Sequence, residues 1–201
     1  IEYPAISRHS LAALFRLAAV LGVLLATASE AIALTPVDIT GSGDTLPLGP
    51  HMEYLKDPQR NLALADVQAR REDFRPNTRE VLNIGYSSAG FWVQFRLRNT
   101  GTEPLTRFLE FRSLFVDRLT LYRPLGQDQF QEMESGRLVP PPDRPYAART
   151  FVFPISLPPD TDAHYYLYVA SADTLTIPLY LHTSEGLQHT ELITHSWLTF
   201  F

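Results

Sequence analysis

The residues of this chain that could do chemistry fall into several groups, and all but the last lead nowhere. Gly85-Tyr86-Ser87-Ser88-Ala89-Gly90 approaches the G-x-S-x-G nucleophile elbow. That motif needs a strand before its serine and a helix after it, so that the hydroxyl is held exposed on a sharp turn. Here the fifth position is Ala89, and a strand pattern begins directly afterwards at Phe91. The segment therefore reads as a tight turn whose serines bond the local backbone. His189, Glu191 and His195 are metal-ligating residue types, but their spacing matches no common zinc motif. Carboxylates such as Glu110, Asp117 and Asp143 are scattered, and acid–base pairs need two facing carboxyls. Gly41-Ser42-Gly43 is too short for a phosphate loop. No catalytic residue, cofactor site or metal site is assigned.

The last group is polar and aromatic. Trp92, Gln94 and Arg96 alternate along one segment, Tyr166 and Tyr168 along a second, and Tyr180 and His182 along a third. Aromatic rings stack on the C–H faces of sugars, while amide and guanidinium groups take the hydroxyls. Of these side chains, Trp92, Gln94, Arg96, Tyr166, Tyr168 and Tyr180 are the candidate ligand contacts. The competing reading is that they pack beneath loops and stabilise strands.

Positioning them requires strands. Phe91, Val93, Phe95 and Leu97 share one face of Phe91–Arg98, with Trp92, Gln94, Arg96 and Arg98 on the other. Asn99-Thr100-Gly101 is a turn. The same period of two places Leu109 and Phe111 opposite Phe108, Glu110 and Arg112. It places Leu119 and Leu121 opposite Arg118, Thr120 and Tyr122. A strand is expected around Phe130, and further strands over Phe151–Leu157, over Tyr165–Val169 and over Leu175–Leu181. Pro178 has no amide donor, which assigns the last of these to a sheet edge or a bulge. Pro36–Thr40 reads as a short first strand. Leu62–Arg71, with Asn61 as its cap, reads as one short helix. About eight strands and a single helix, with no strand–helix alternation, predict an all-β antiparallel sandwich, either jelly-roll or immunoglobulin-like.

Composition agrees. The chain of 201 residues is 45% hydrophobic and 19% charged, with sixteen prolines and ten glycines. Its net charge of −5 offers no electrostatic footprint for nucleic acid. There is no cysteine, so the core alone must stabilise the fold. Arg8 and Arg16, the apolar run Leu17–Ala28 and Ala31-Ile32-Ala33 have the form of a secretory signal peptide over residues 1–33. Residues 34–183 then form one domain. Residues 184–201 read as a juxtamembrane linker, with the apolar stretch from Ile193 to Phe201 opening a membrane span.

A resemblance is carried by several motifs taken in order. These are Leu46–His51 with Glu53–Pro58, Phe74-Arg75-Pro76, and Leu82–Ser88 leading into Phe91–Asn99. Arg149–Pro154, Tyr165–Val169 and Ile177-Pro178-Leu179 follow. Across residues 36 to 182 the chain resembles the second extracellular domain type of seven-transmembrane receptors with diverse intracellular signalling modules. The resemblance implies a jelly-roll similar to carbohydrate-binding modules, lying in the periplasm of an inner-membrane protein. It further implies a histidine kinase or diguanylate cyclase output beyond the membrane helices, and a carbohydrate or related small-molecule ligand. It adds His51 and Tyr54 to Trp92, Gln94, Arg96, Tyr166, Tyr168 and Tyr180 as expected ligand contacts.

The functional expectation is a non-enzymatic sensory domain whose ligand biases a receptor between two states. Two alternatives stay open. One is a secreted carbohydrate-binding or adhesion module. The other is a protein-interaction domain, homodimeric or docked on a partner sensor kinase, in which Trp92, Tyr166 and Tyr168 anchor an interface.

Overall fold

In the computed structural model the described residues are 34–196, with side chains described as far as Leu192. The expected signal peptide and residues 197–201 of the expected membrane segment lie outside them. Thirteen strands build two packed sheets and a small ribbon. The larger sheet runs β4 (Arg75–Pro76), β3 (Met52–Asp57), β6 (Gly90–Asn99), β11 (Thr161–Ala170), β8 (Arg118–Gly126), β9 (Gln129–Ser135). The smaller runs β10 (Phe151–Leu157), β7 (Leu105–Phe111), β13 (Leu179–His182), β2 (Thr45–Pro47). β5 (Leu82–Tyr86) and β12 (Thr174–Ile177) form the ribbon. The pairing is antiparallel except for β1 (Val37–Asp38), which joins β6 in parallel.

The alternation read from sequence decides what lies between the sheets. Phe91, Val93, Phe95 and Leu97 of β6 meet Leu109 and Phe111 of β7, Phe153 of β10 and Leu181 of β13 in one continuous core. Tyr165 stacks on its cross-strand partner Phe95, ring centroids 5.4 Å apart. Each such side chain adds roughly 1.5–3 kcal/mol of burial free energy. The chain crosses repeatedly between the two layers, so the sandwich expected from the pattern is the one observed.

Four details differ from the expectation. The helix over Leu62–Arg71 contracts to α1 (Leu64–Ala69), and Ala63 rather than Asn61 stands at its start. The Asp66 carboxylate accepts the Ala63 amide at 2.9 Å, while the Asn61 amide turns back to Asp57. Leu175–Leu181 is not one strand. Pro178 separates β12 from β13, so the chain changes sheets there; the expected bulge falls in β12, where the register shifts between Leu175 and Thr176, and β13 is interior rather than an edge. Pro154, by contrast, sits on the edge strand β10, where its missing N–H costs nothing. Finally, a second helix, α2 (Ser184–Ser196), follows β13 directly. Its Leu187 is buried and Gly186 lies tight against the Asp44 backbone, so the start of the expected linker is helical and packs on the smaller sheet. Among the described residues no helix is long and apolar enough to cross a membrane.

Candidate functional site

The outer face of the larger sheet gathers five of the eight predicted contacts, because strand register sets their side chains in rows. Tyr168 on β11 pairs with Trp92 on β6, Tyr166 pairs with Gln94, and His164 pairs with Arg96. β3 extends the rows by setting Leu55 opposite Trp92 and Glu53 opposite Gln94. On the other side β8 sets Thr120 opposite Tyr168 and Tyr122 opposite Tyr166. Directly paired residues point to the same face, so one surface carries them all.

Much of that surface is covered. Leu62, Leu64 and Val67 of the α1 region and Phe74 pack on Trp92, Tyr166 and Leu55 in a second small core. Trp92 is only 2% exposed and Tyr166 fully buried. The covering segment is tied down at its start. Asp57, itself buried, accepts the amides of Asn61 and Leu62, and Arg60 donates to the Ser171 carbonyl at 2.9 Å. What reaches solvent is the half-buried pair Tyr122 and Tyr168, flanking the indole at centroid distances of 5.3 and 5.2 Å. Burial, reinforced by Glu132 and Glu134, pushes the Tyr122 hydroxyl up to about 12, so it stays protonated and able to donate. The buried Trp92 Nε1 has no hydrogen-bond partner among the described residues.

Beside the rings runs a polar chain. Gln94 Nε2 donates to Glu53 Oε2 at 2.8 Å, His164 Nε2 lies 3.1 Å from Gln94 Oε1, and the Tyr166 hydroxyl lies 3.4 Å from His164 Nδ1. Since Gln94 spends its donor on the carboxylate, its oxygen must accept. That assigns the imidazole proton to Nε2 and leaves Nδ1 as acceptor. Burial, with Arg71 and Arg96 nearby, lowers His164 to about 4, so the ring is neutral at physiological pH. At the end of the row Arg96 engages Asp162 through two bonds, Nε to Oδ1 at 3.2 Å and a terminal nitrogen to Oδ2 at 2.8 Å.

The other three predicted contacts lie elsewhere. Tyr54 pairs with Val93 and faces the main core. His51 is exposed in a short turn before β3. Tyr180 belongs to the smaller sheet, where its hydroxyl donates to Glu80 at 2.9 Å and the Arg112 guanidinium lies 3.9 Å from the ring centre. The structure brings Tyr122, His164, Glu53 and Asp162 into the site beyond the sequence reading. Alternation had already placed Tyr122 on an outward face, but only register shows which rows it and His164 join. Ser87 accepts the Ala89 amide at 3.2 Å, the local turn bond expected there. Among the described residues no group of three or more His, Asp or Glu could hold a metal ion.

Among known proteins, the family model described as 7TMR-DISM extracellular 2 matches the chain over residues 49–183. No curated protein matches the chain.

Proposed function

The chain belongs to the 7TMR-DISM extracellular 2 family, the periplasmic sensory domains of membrane receptors, and on that premise we propose that it binds a carbohydrate or related small molecule on the outer face of its larger sheet. The observation that carries this reading is the Tyr168–Trp92–Tyr122 cluster of tilted rings beside a hydrogen-bonded polar row. Tyr168 and Tyr122 supply ring surface for a sugar's C–H face, and Trp92 backs them as a rigid support. Arg96 and Asp162, half-exposed at the row's end, suit hydroxyl recognition because each carries hydrogen-bonding capacity toward solvent beyond its partner. The domain itself performs no catalysis. Ligand binding shifts the receptor between two states by its differential affinity for them, and the output module is a histidine kinase or diguanylate cyclase.

The test is a thermal-shift and calorimetric screen of the chain against glycans and cell-wall sugars, with Tyr168→Ala and Tyr122→Ala alongside. A concentration-dependent rise in Tm that both variants lose supports the reading. No response to any sugar, together with self-association in light scattering, replaces it with a protein-interaction role.

A further inference from the structure

The smaller sheet carries a second polar assembly, unrelated to the aromatic face. Glu110 on β7 is buried and fully engaged. Its Oε2 lies 2.9 Å from His182 Nε2 and accepts Arg112 Nε at 3.0 Å, while Oε1 accepts the Thr150 hydroxyl at 2.8 Å. His182 Nδ1 in turn lies 3.0 Å from the Thr45 hydroxyl. The network therefore links β2, β13, β7 and the start of β10. Two of its members, Glu110 and Thr150, line the floor of a cavity of about 370 Å³, which Pro141 also borders and whose two facing walls come from different elements. One wall is the segment entering β10, with Ala147, Ala148 and Arg149. The other is helix α2, with Thr190 and Glu191.

Besides Glu110, two charged side chains line this cavity, Arg149 and Glu191. Neither Arg149 nor Glu191 makes an ion pair among the described residues, and they stand on different walls. The floor carboxylate is already neutralised by Arg112, so it sets no net demand for a cation. A cavity lined by a guanidinium and a carboxylate that have no ion-pair partner among the described residues, with a methyl-lined side, complements a molecule carrying both charges. Its volume is near the lower end of the range of about 300–1,000 Å³ for small-molecule sites.

We infer that this cavity is a second ligand site, taking a small zwitterion such as a free amino acid or a dipeptide. Arg149 holds the ligand's carboxylate in its planar fork and Glu191 takes the ammonium group. Because α2 is one wall, an occupied cavity bridges α2 to the sheet and favours the docked helix. The inference does not rest on the sugar reading of the other face.

The experiment uses the full chain, with the twenty free amino acids and glycyl dipeptides as probes and their N-acetyl and amide derivatives as singly charged controls. The expected result is a concentration-dependent rise in Tm with one or more zwitterions and none with the matching controls. Arg149→Gln and Glu191→Gln each weaken binding by about tenfold, since each removes one charge-assisted contact. Both side chains are at the surface, so the unliganded Tm is unchanged. Tyr168→Ala keeps the response. The inference is overturned if no zwitterion shifts Tm, if the shift survives in the Arg149→Gln/Glu191→Gln double variant, or if Tyr168→Ala abolishes it.

Discussion

Glu110 Oε2 and His182 Nε2 lie 2.9 Å apart, with both side chains buried on the outer face of the smaller sheet. Burial by itself would raise the Glu110 carboxyl, but bonds from His182, Thr150 and Arg112 outweigh it and hold the group below its ordinary value of 4.5. A carboxylate depressed in the folded state contributes stability that is complete above the unfolded value and lost as pH falls through the folded one. Glu110→Gln is therefore expected to cost several kcal/mol at pH 7, because His182 and Arg112 lose a charged acceptor. Its deficit against the parent should shrink below about pH 4.5. Urea unfolding midpoints at pH 7, 5 and 3.5 check this, and a pH-independent deficit would contradict it.

His164 should titrate with a midpoint of about 4 in the folded chain. The unfolded ring binds its proton near 6.5, so the unfolded state gains protons first, and stability falls as pH drops from about 6.5 to about 4. This window lies above that of Glu110. Histidine chemical shifts followed by NMR give the midpoint directly, and a value near 6.5 would rule out the neutral, hydrogen-bonded ring. His164→Gln should flatten the Tm profile across the same interval.

Trp92→Ala should destabilise the domain by about 3–5 kcal/mol, the range for emptying an aromatic site in a packed core. Tyr168→Ala removes a half-buried ring and should cost markedly less. Guanidinium unfolding distinguishes them. Equal costs would mean that the α1 region does not seal the indole as described.

Gly90 lies under the Tyr168 ring, where an added Cβ would stand 2.5 Å from the hydroxyl oxygen. Gly90→Ala must therefore swing the ring away from Trp92. The expected outcome is loss of sugar response with a folded, cooperative domain, read by calorimetry and by near-ultraviolet circular dichroism. Unaltered binding would remove Tyr168 from the ligand platform.

Gly186→Ala sets two effects against each other. Alanine in a helix is favoured over glycine by about 1 kcal/mol. Yet its Cβ would lie 2.0 Å from the Asp44 carbonyl oxygen, a backbone atom that cannot yield cheaply. The clash should win, so Tm falls and amide exchange across residues 184–192 speeds up. A higher Tm would show that α2 is not held against Asp44.

Which side chains face the core was legible in the sequence, because a strand's period of two survives any rearrangement of its neighbours. The inward faces read for Phe91–Arg98, for Arg107–Arg112, for Val116–Arg123 and for Tyr165–Val169 all hold. The family resemblance was equally local, carried by ordered motifs. The candidate site was only half legible. Alternation put Trp92, Gln94, Arg96, Tyr166 and Tyr168 on outward faces, but outward from a strand is not outward from a protein. Whether α1 would fold back over Trp92 depends on Leu64, Val67 and Phe74 finding that surface, a long-range event with no local signature. Register between strands distant in the chain decided that Tyr122 and His164 join the site and that Tyr54 and Tyr180 do not. The docking of α2 over Glu110 was likewise settled by packing alone. A polar segment rich in Glu, His and Thr carries too little apolar periodicity to announce which face it will bury.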